Sequence, residues 1–171
     1  KDIKINKSFK LKDFYQTKSK KFKYNRINLI NNKETKVSEV LNIKLYLNEE
    51  ICIKEMGHFR KKYNHAGDIF FKFNCLEDDL YKIEDNDLLL EMNITIADLY
   101  GDFIRDIILP DETIYKLECI DLYKTDLTTI IDNLGLPIYN TTRRGNLKIM
   151  FKLVFKELNE SDIKLIKNIF N

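Results

Sequence analysis

"GLPIYNTTRRGNLKIMFKLVF", Gly135 to Phe155, decides how this chain is organised. Two glycines ten residues apart bracket a polar loop, and the second opens a strand of alternating character. The phrase "GHFRKKYNHAGDIFFKF", Gly57 to Phe73, has the same form and the same glycine spacing. The stretches ahead of them match as well. "LKDFYQTKSKKFKYNR" (Leu11 to Arg26) and "IADLYGDFIRDIILPD" (Ile96 to Asp111) each begin with an apolar residue, a spacer, an Asp, an apolar residue and a Tyr. The order strand, short helical turn, strand, further strands, glycine-bracketed loop, strand is therefore used twice, as one supersecondary plan repeated.

Period-two alternation places the strands. "DIKINKSF" puts Ile3, Ile5 and Phe9 on one face, with Lys7 interrupting them. "KKFKYNRI" sets Phe22, Tyr24 and Arg26 against Lys21, Lys23 and Asn25. "NLKIMFKLVF" aligns Leu147, Ile149, Phe151, Leu153 and Phe155. At the end, "NESDIKLIKNIF" offers Asn159 or Ser161 as a cap, followed by Ile163, Ile166, Ile169 and Phe170 at helical spacing. The expected fold is all-β (mainly β): two tandem small β-sandwich-like subdomains of similar topology with short helices, plus a C-terminal amphipathic helix. The subdomains take residues 1–80 and 81–157, joined near Asp79 to Asp87, and the helix takes 158–171.

Composition sets the outer bounds. The 171 residues are 44% hydrophobic and 33% charged, enough for a packed core. With five glycines and two prolines, turns must rely on Asn and Asp, as in "NNKET" and "EDND". A net charge of +2 does not by itself imply nucleic acid. Cys52, Cys75 and Cys119 form no CxxC pair, which argues against a disulfide framework or a zinc ribbon and for a reducing, cytoplasmic setting. No apolar run approaches the ~20 residues that span a bilayer. No signal peptide is visible, and a chain opening on Lys1 reads as an excised fragment.

On these motifs the chain resembles the C-terminal client-binding region of J-domain (DnaJ-type) co-chaperones, over essentially its whole length. That family carries "L-x-D-L-Y-x-G" after its first strand, followed by Leu11 to Tyr24. Its "GD" plus apolar strand is matched by "GDIFFKF", and its "F-x-R-x-G-x-D-L" segment loosely by "YKIEDNDL" from Tyr81 to Leu88. Its "G-x-P-x-x-x-x-x-x-R-G-D-L" is matched by "GLPIYNTTRRGNL". The family's Pro-Pro-Gly turn is missing from the first half, and Asn146 stands where Asp is usual. No His-Pro-Asp signature and no cysteine-rich zinc insert are present, so the resemblance is to the zinc-free branch, with any J domain outside this sequence.

The resemblance implies a co-chaperone module that is not an enzyme and takes no cofactor or metal. Its partners would be unfolded client polypeptides and the acidic C-terminal tail of a seventy-kilodalton heat-shock chaperone, with no membrane and no nucleic acid. A client groove on the first half would be lined by Ile5, Phe22, Tyr24 and Phe71. An open strand edge can hydrogen-bond any extended backbone while apolar pockets accept alternate side chains. Without the resemblance all four would be ordinary core. Lys7 falls where the family prefers an aliphatic residue; its stem can line the groove while its ammonium reaches water.

The run "TKSKKFKYNR" leaves three uses open for its lysines. They can protect a strand edge from aggregation. They can grip phosphate while Phe22 or Tyr24 stacks a base, making a basic nucleic-acid-binding module. In the family they meet the acidic tail, at positions matching Lys20, Lys21 and Lys23, with Lys33 or Lys36 as further contributors. The stripe Ile163, Ile166, Ile169 and Phe170 either folds back on its own half or, as in the family, forms a homodimer interface. Cys52, His58 and His65 fit no closed metal site. The acidic stretch "EDDLYKIEDND" lacks a calcium-loop pattern, and no phosphate loop or nucleophile elbow is present.

Overall fold

The glycines mark where each half of the chain closes on itself. The computed structural model describes residues 1–171. In the first half, the Gly57 N–H donates to the Gly67 carbonyl at 2.7 Å and the His58 N–H to the Lys1 carbonyl at 2.8 Å. The Asp68 N–H donates to the Asp2 carboxylate at 3.0 Å. The second half repeats the clasp. The Gly135 N–H donates to the Gly145 carbonyl at 2.8 Å and the Leu136 N–H to the Asn86 carbonyl at 2.7 Å. The Asn146 N–H donates to the Asp87 carboxylate at 2.7 Å. None of these glycines has a positive φ. What they supply is room: a Cβ on Gly135 would lie 2.5 Å from the Asn86 carbonyl oxygen, and one on Gly57 would lie 2.6 Å from that of Asp68.

From each clasp the same elements follow. The first half contains β1 (Ile3–Phe9), α1 (Leu11–Tyr15), β2 (Ser19–Ile30), β3 (Lys33–Lys44), β4 (Glu50–Ile53), β5 (Phe59–Arg60), β6 (His65–Ala66) and β7 (Ile69–Cys75). The second contains β8 (Tyr81–Glu84), β9 (Asp87–Ile94), α2 (Ile96–Tyr100), β10 (Phe103–Ile108), β11 (Ile114–Cys119), β12 (Thr128–Ile131) and β13 (Leu147–Leu153), and α3 (Glu160–Phe170) ends the chain. β1 pairs parallel with β7, which takes β4 antiparallel on its other side. Likewise β9 pairs parallel with β13, which takes β12. A separate antiparallel hairpin accompanies each sheet, β2–β3 in one half and β10–β11 in the other. The chain is therefore mainly β, built from several small sheets in two sets of like topology.

One difference matters below. β8 adds antiparallel to β9 and covers its outer edge. β1 has no such neighbour; the order β1-β7-β4 leaves it at the sheet margin.

Local chemistry accounts for the turns. Asn31 and Asn32 take φ of 50° and 61° between β2 and β3, the left-handed pair that a tight hairpin requires, and Asp85 takes 55° between β8 and β9. The core is wholly apolar, with no buried polar or charged residue. Ile69, Phe71 and Phe73 of β7 fill one centre, and Leu147 and Ile149 of β13 fill the other. Two strand ends differ from the alternation reading. β2 runs on to Ile30, because β3 pairs with it along its full length. β13 stops at Leu153 opposite Ile94, where β9 ends, so Phe155 lies beyond the sheet and is exposed. Asn159 caps α3, its side chain accepting from the Asp162 N–H at 2.8 Å. No helix is long and apolar enough to cross a membrane.

Candidate peptide-binding groove

The β2–β3 hairpin lies across the β1–β7–β4 sheet and meets it through rings. Phe22 sits 5.1 Å from Phe71 and stacks on Phe73 at 5.4 Å. Phe9 of β1 approaches Phe22 edge-on at 6.2 Å and Phe73 at 5.8 Å. Phe71 is fully buried, and Phe22 and Tyr24 are each 8% exposed. These three, expected from sequence to line a groove, are therefore core side chains packed between hairpin and sheet. They cannot meet a bound segment directly in this conformation, because the hairpin and sheet close over their faces. Ile5 is half-buried at the margin, with Phe9 and the exposed Lys7 on the same strand face. Phe9 was not among the residues singled out from sequence, although its parity with Ile5 marks it.

Tyr24 is fixed by its hydroxyl, which donates to the Met56 carbonyl at 3.0 Å. Burial pushes that hydroxyl's pKa above the usual tyrosine value. Arg26 binds Glu39 and donates to the Glu55 carbonyl at 2.9 Å. His58 accepts the Ile27 N–H on Nδ1 at 3.1 Å, so its imidazole is neutral there. Burial, reinforced by neighbouring cations, lowers its pKa. These contacts pin the outer part of β2 to the glycine loop, while Lys20 and Phe22 reach Phe9 of β1.

Strand alternation divides the three lysines expected to hold an acidic tail. Lys20 shares the face of Phe22 and Tyr24, while Lys21 and Lys23 are exposed on the opposite face of the hairpin. Lys20 Nζ lies 3.0 Å from Asp13 and 5.6 Å from the centre of the Phe9 ring. The surrounding charge is uneven. Residues 1–80 hold 18 Lys and Arg against 11 Asp and Glu, and residues 81–171 hold 11 against 16, giving +7 and −5. The basic character expected near β2 thus belongs to the whole first half.

An apolar cleft lies between α2, the segment after β13 and α3. It encloses about 410 Å³ between Ile96, Ala97, Val154, Phe155, Leu158 and Ile166. Of the terminal stripe, Ile166 lines this cleft and Phe170 lies 6.1 Å from the Tyr100 ring, while Ile163 and Ile169 face outward. No three metal-ligating side chains converge anywhere, and all three cysteines are free thiols.

With this geometry established, the family follows. The sequence model of the DnaJ C terminal domain matches residues 3–156, and the chain belongs to that family. Its general role is that of a chaperone-associated domain for client binding and dimerisation. No curated protein matches the chain significantly.

Proposed function

We propose that the first half holds extended apolar segments of unfolded proteins along the free margin of β1. In this assignment Ile5, Phe9 and the stem of Lys7 form the wall, and Phe22, Tyr24 and Phe71 the supporting floor. The observation that carries it is the contrast between the two halves: β9 is covered by β8, whereas the equivalent strand β1 is unpaired on its outer side. A client backbone would extend the sheet there, with side chains entering the half-buried apolar rim. One buried apolar side chain contributes roughly 1.5–3 kcal/mol, so one or two anchors give the weak, releasable binding that handover requires.

The same place takes the acidic C-terminal tail of a seventy-kilodalton heat-shock chaperone, drawn by the net positive first half, with Lys20 at the groove and Lys21 and Lys23 supplying field from the hairpin's outer face. The role is non-enzymatic, and the free thiols agree with a cytoplasmic setting. The test is binding of a labelled peptide ending Glu-Glu-Val-Asp, with Lys21→Glu expected to weaken it and Ile5→Ser/Phe9→Ser to reduce suppression of aggregation by an unfolded protein. Nucleic acid is the competing ligand: oligonucleotide binding with a steep salt slope would replace this assignment.

The chain pairs as a homodimer through its C-terminal end, and the repeat supplies the reason. Leu11 and Tyr15 of α1 are 2% and 5% exposed, and Arg144 of the second half lies over Tyr15. Their counterparts Ile96 and Tyr100 in α2 are 40% and 54% exposed. With Ile163, Ile166, Ile169 and Phe170 of α3 beside them, they form an apolar end of the kind that marks an interface.

A further inference from the structure

The Asp13–Lys20 pair has a counterpart that shows what it is not. In the second half, Asp98 and Arg105 occupy the same places, again seven residues apart, and pair at 2.8 Å. There the pair is riveted. Asp98 also accepts from the Thr95 N–H and hydroxyl at 2.8 and 2.9 Å, and Arg105 also donates to the Asn93 carbonyl at 2.7 Å. In the first half the position of Thr95 is taken by Lys10, which makes no side-chain cap. Asp13 and Lys20 hold each other by a single ion pair, and the turn between them is fixed by the Lys18 N–H donating to the Asp13 carbonyl at 3.1 Å. The ammonium is thereby parked over Phe9, at the entrance to the aromatic cluster.

We infer that Asp13 is an internal competitor for the groove: it holds Lys20 across Phe9 while the site is empty and yields it to a ligand carboxylate. This rests on the acidic-tail assignment above. An acidic ligand offers Lys20 a replacement partner, and the released stem uncovers the Phe9 ring for the apolar residue beside that carboxylate. A neutral segment offers no replacement, so Asp13 biases the groove toward ligands in which an apolar residue adjoins an acid. The two pairs are about equally half-buried, so what separates them is the number of bonds: a single lysine–carboxylate contact can be exchanged for another, and the same exchange is closed to the second half by its additional bonds.

The experiment is fluorescence anisotropy with a labelled peptide ending Glu-Glu-Val-Asp, measured for wild type, Asp13→Asn, Lys20→Gln, the double variant and Asp98→Asn. Asp13→Asn is expected to tighten binding roughly two- to fivefold, the scale of a surface ion pair. That gain should vanish in the Lys20→Gln background, and Asp98→Asn should leave affinity unchanged while lowering the thermal midpoint. Binding by wild type that Asp13→Asn leaves unaltered or weakens overturns the competitor alone. So does a gain that survives in the double variant or is equalled by Asp98→Asn, since either reports general charge. Absence of binding by every variant at low salt overturns the tail assignment and the competitor with it.

Discussion

The Arg144 guanidinium lies 4.3 Å above the ring of Tyr15 and donates to the Tyr15 backbone carbonyl at 2.9 Å, while its Nε donates to the Gly135 carbonyl at 3.0 Å. One side chain from the second glycine loop thus clamps the first half's short helix. Tyr46 and Tyr139 meet edge-on at 5.1 Å across the same junction. Nearby, burial pushes the Tyr81 hydroxyl up to about 12, and it donates to the Ile108 carbonyl at 2.7 Å.

Arg144→Ala should therefore loosen the junction by about 2 kcal/mol, the scale of a charged hydrogen bond together with a stacked cation. Arg144→Lys should recover little, because an ammonium cannot stack and bridge two carbonyls at once. Urea unfolding followed by tyrosine fluorescence should separate into two transitions in either variant. A single transition at the wild-type midpoint would show that the clamp is idle.

Gly145→Ala should damage the second half by about 3 kcal/mol, since a Cβ there would sit on the Asn86 carbonyl and something in the backbone must move. Gly101→Ala, at an exposed position after α2, is the milder comparison, meeting only the Ala97 carbonyl at 2.9 Å. Thermal midpoints by circular dichroism distinguish them. Equal midpoints would mean the clasp tolerates a methyl group.

His58 gives stability a pH dependence with a definite sign. Its folded-state pKa lies below the ordinary ~6.5. As pH drops below ~6.5 the unfolded chain takes up a proton that the folded chain refuses, so stability is full above that value and declines toward the depressed folded pKa. The thermal midpoint should fall between pH 7.5 and 5.5, and His58→Gln should flatten that decline whatever its own baseline. An unchanged slope in the variant would assign the effect elsewhere.

Dimerisation through the apolar end predicts that Ile169→Asp/Phe170→Asp, or the chain cut before Ser161, runs as a monomer in light scattering where wild type runs as a dimer. Tyr100→Asp should act in the same direction, because its ring lies 6.1 Å from Phe170. Retention of the dimer mass by both α3 variants would give that helix another role.

Much of this was legible in the residues. The paired glycines and the shared apolar-x-Asp-apolar-Tyr pattern at Leu11 and Ile96 marked the duplication, and alternation fixed the faces of β1, β2 and β13. Alternation also put Lys21 and Lys23 opposite Phe22, although the lysine run reads as one cluster until the strand is built. What alternation cannot say is which face is sealed. Phe71 is buried because a hairpin from a different sheet lands on it, and that is a tertiary event. The clamp of Arg144 on Tyr15 joins residues 129 apart, beyond any local pattern. Phe155 left its expected face because a strand extends only as far as its partner, here Ile94.

The parallel ladders carry a kinetic consequence. Asp68 meets Asp2 across 66 residues, and Asn146 meets Asp87 across 59. Such long closures must be completed before any of their pairing is gained, which slows folding. On the ribosome, β1 emerges before β7 and stays single until β7 follows it out. A domain whose family binds other proteins must for that interval keep its own unpaired strand from going astray.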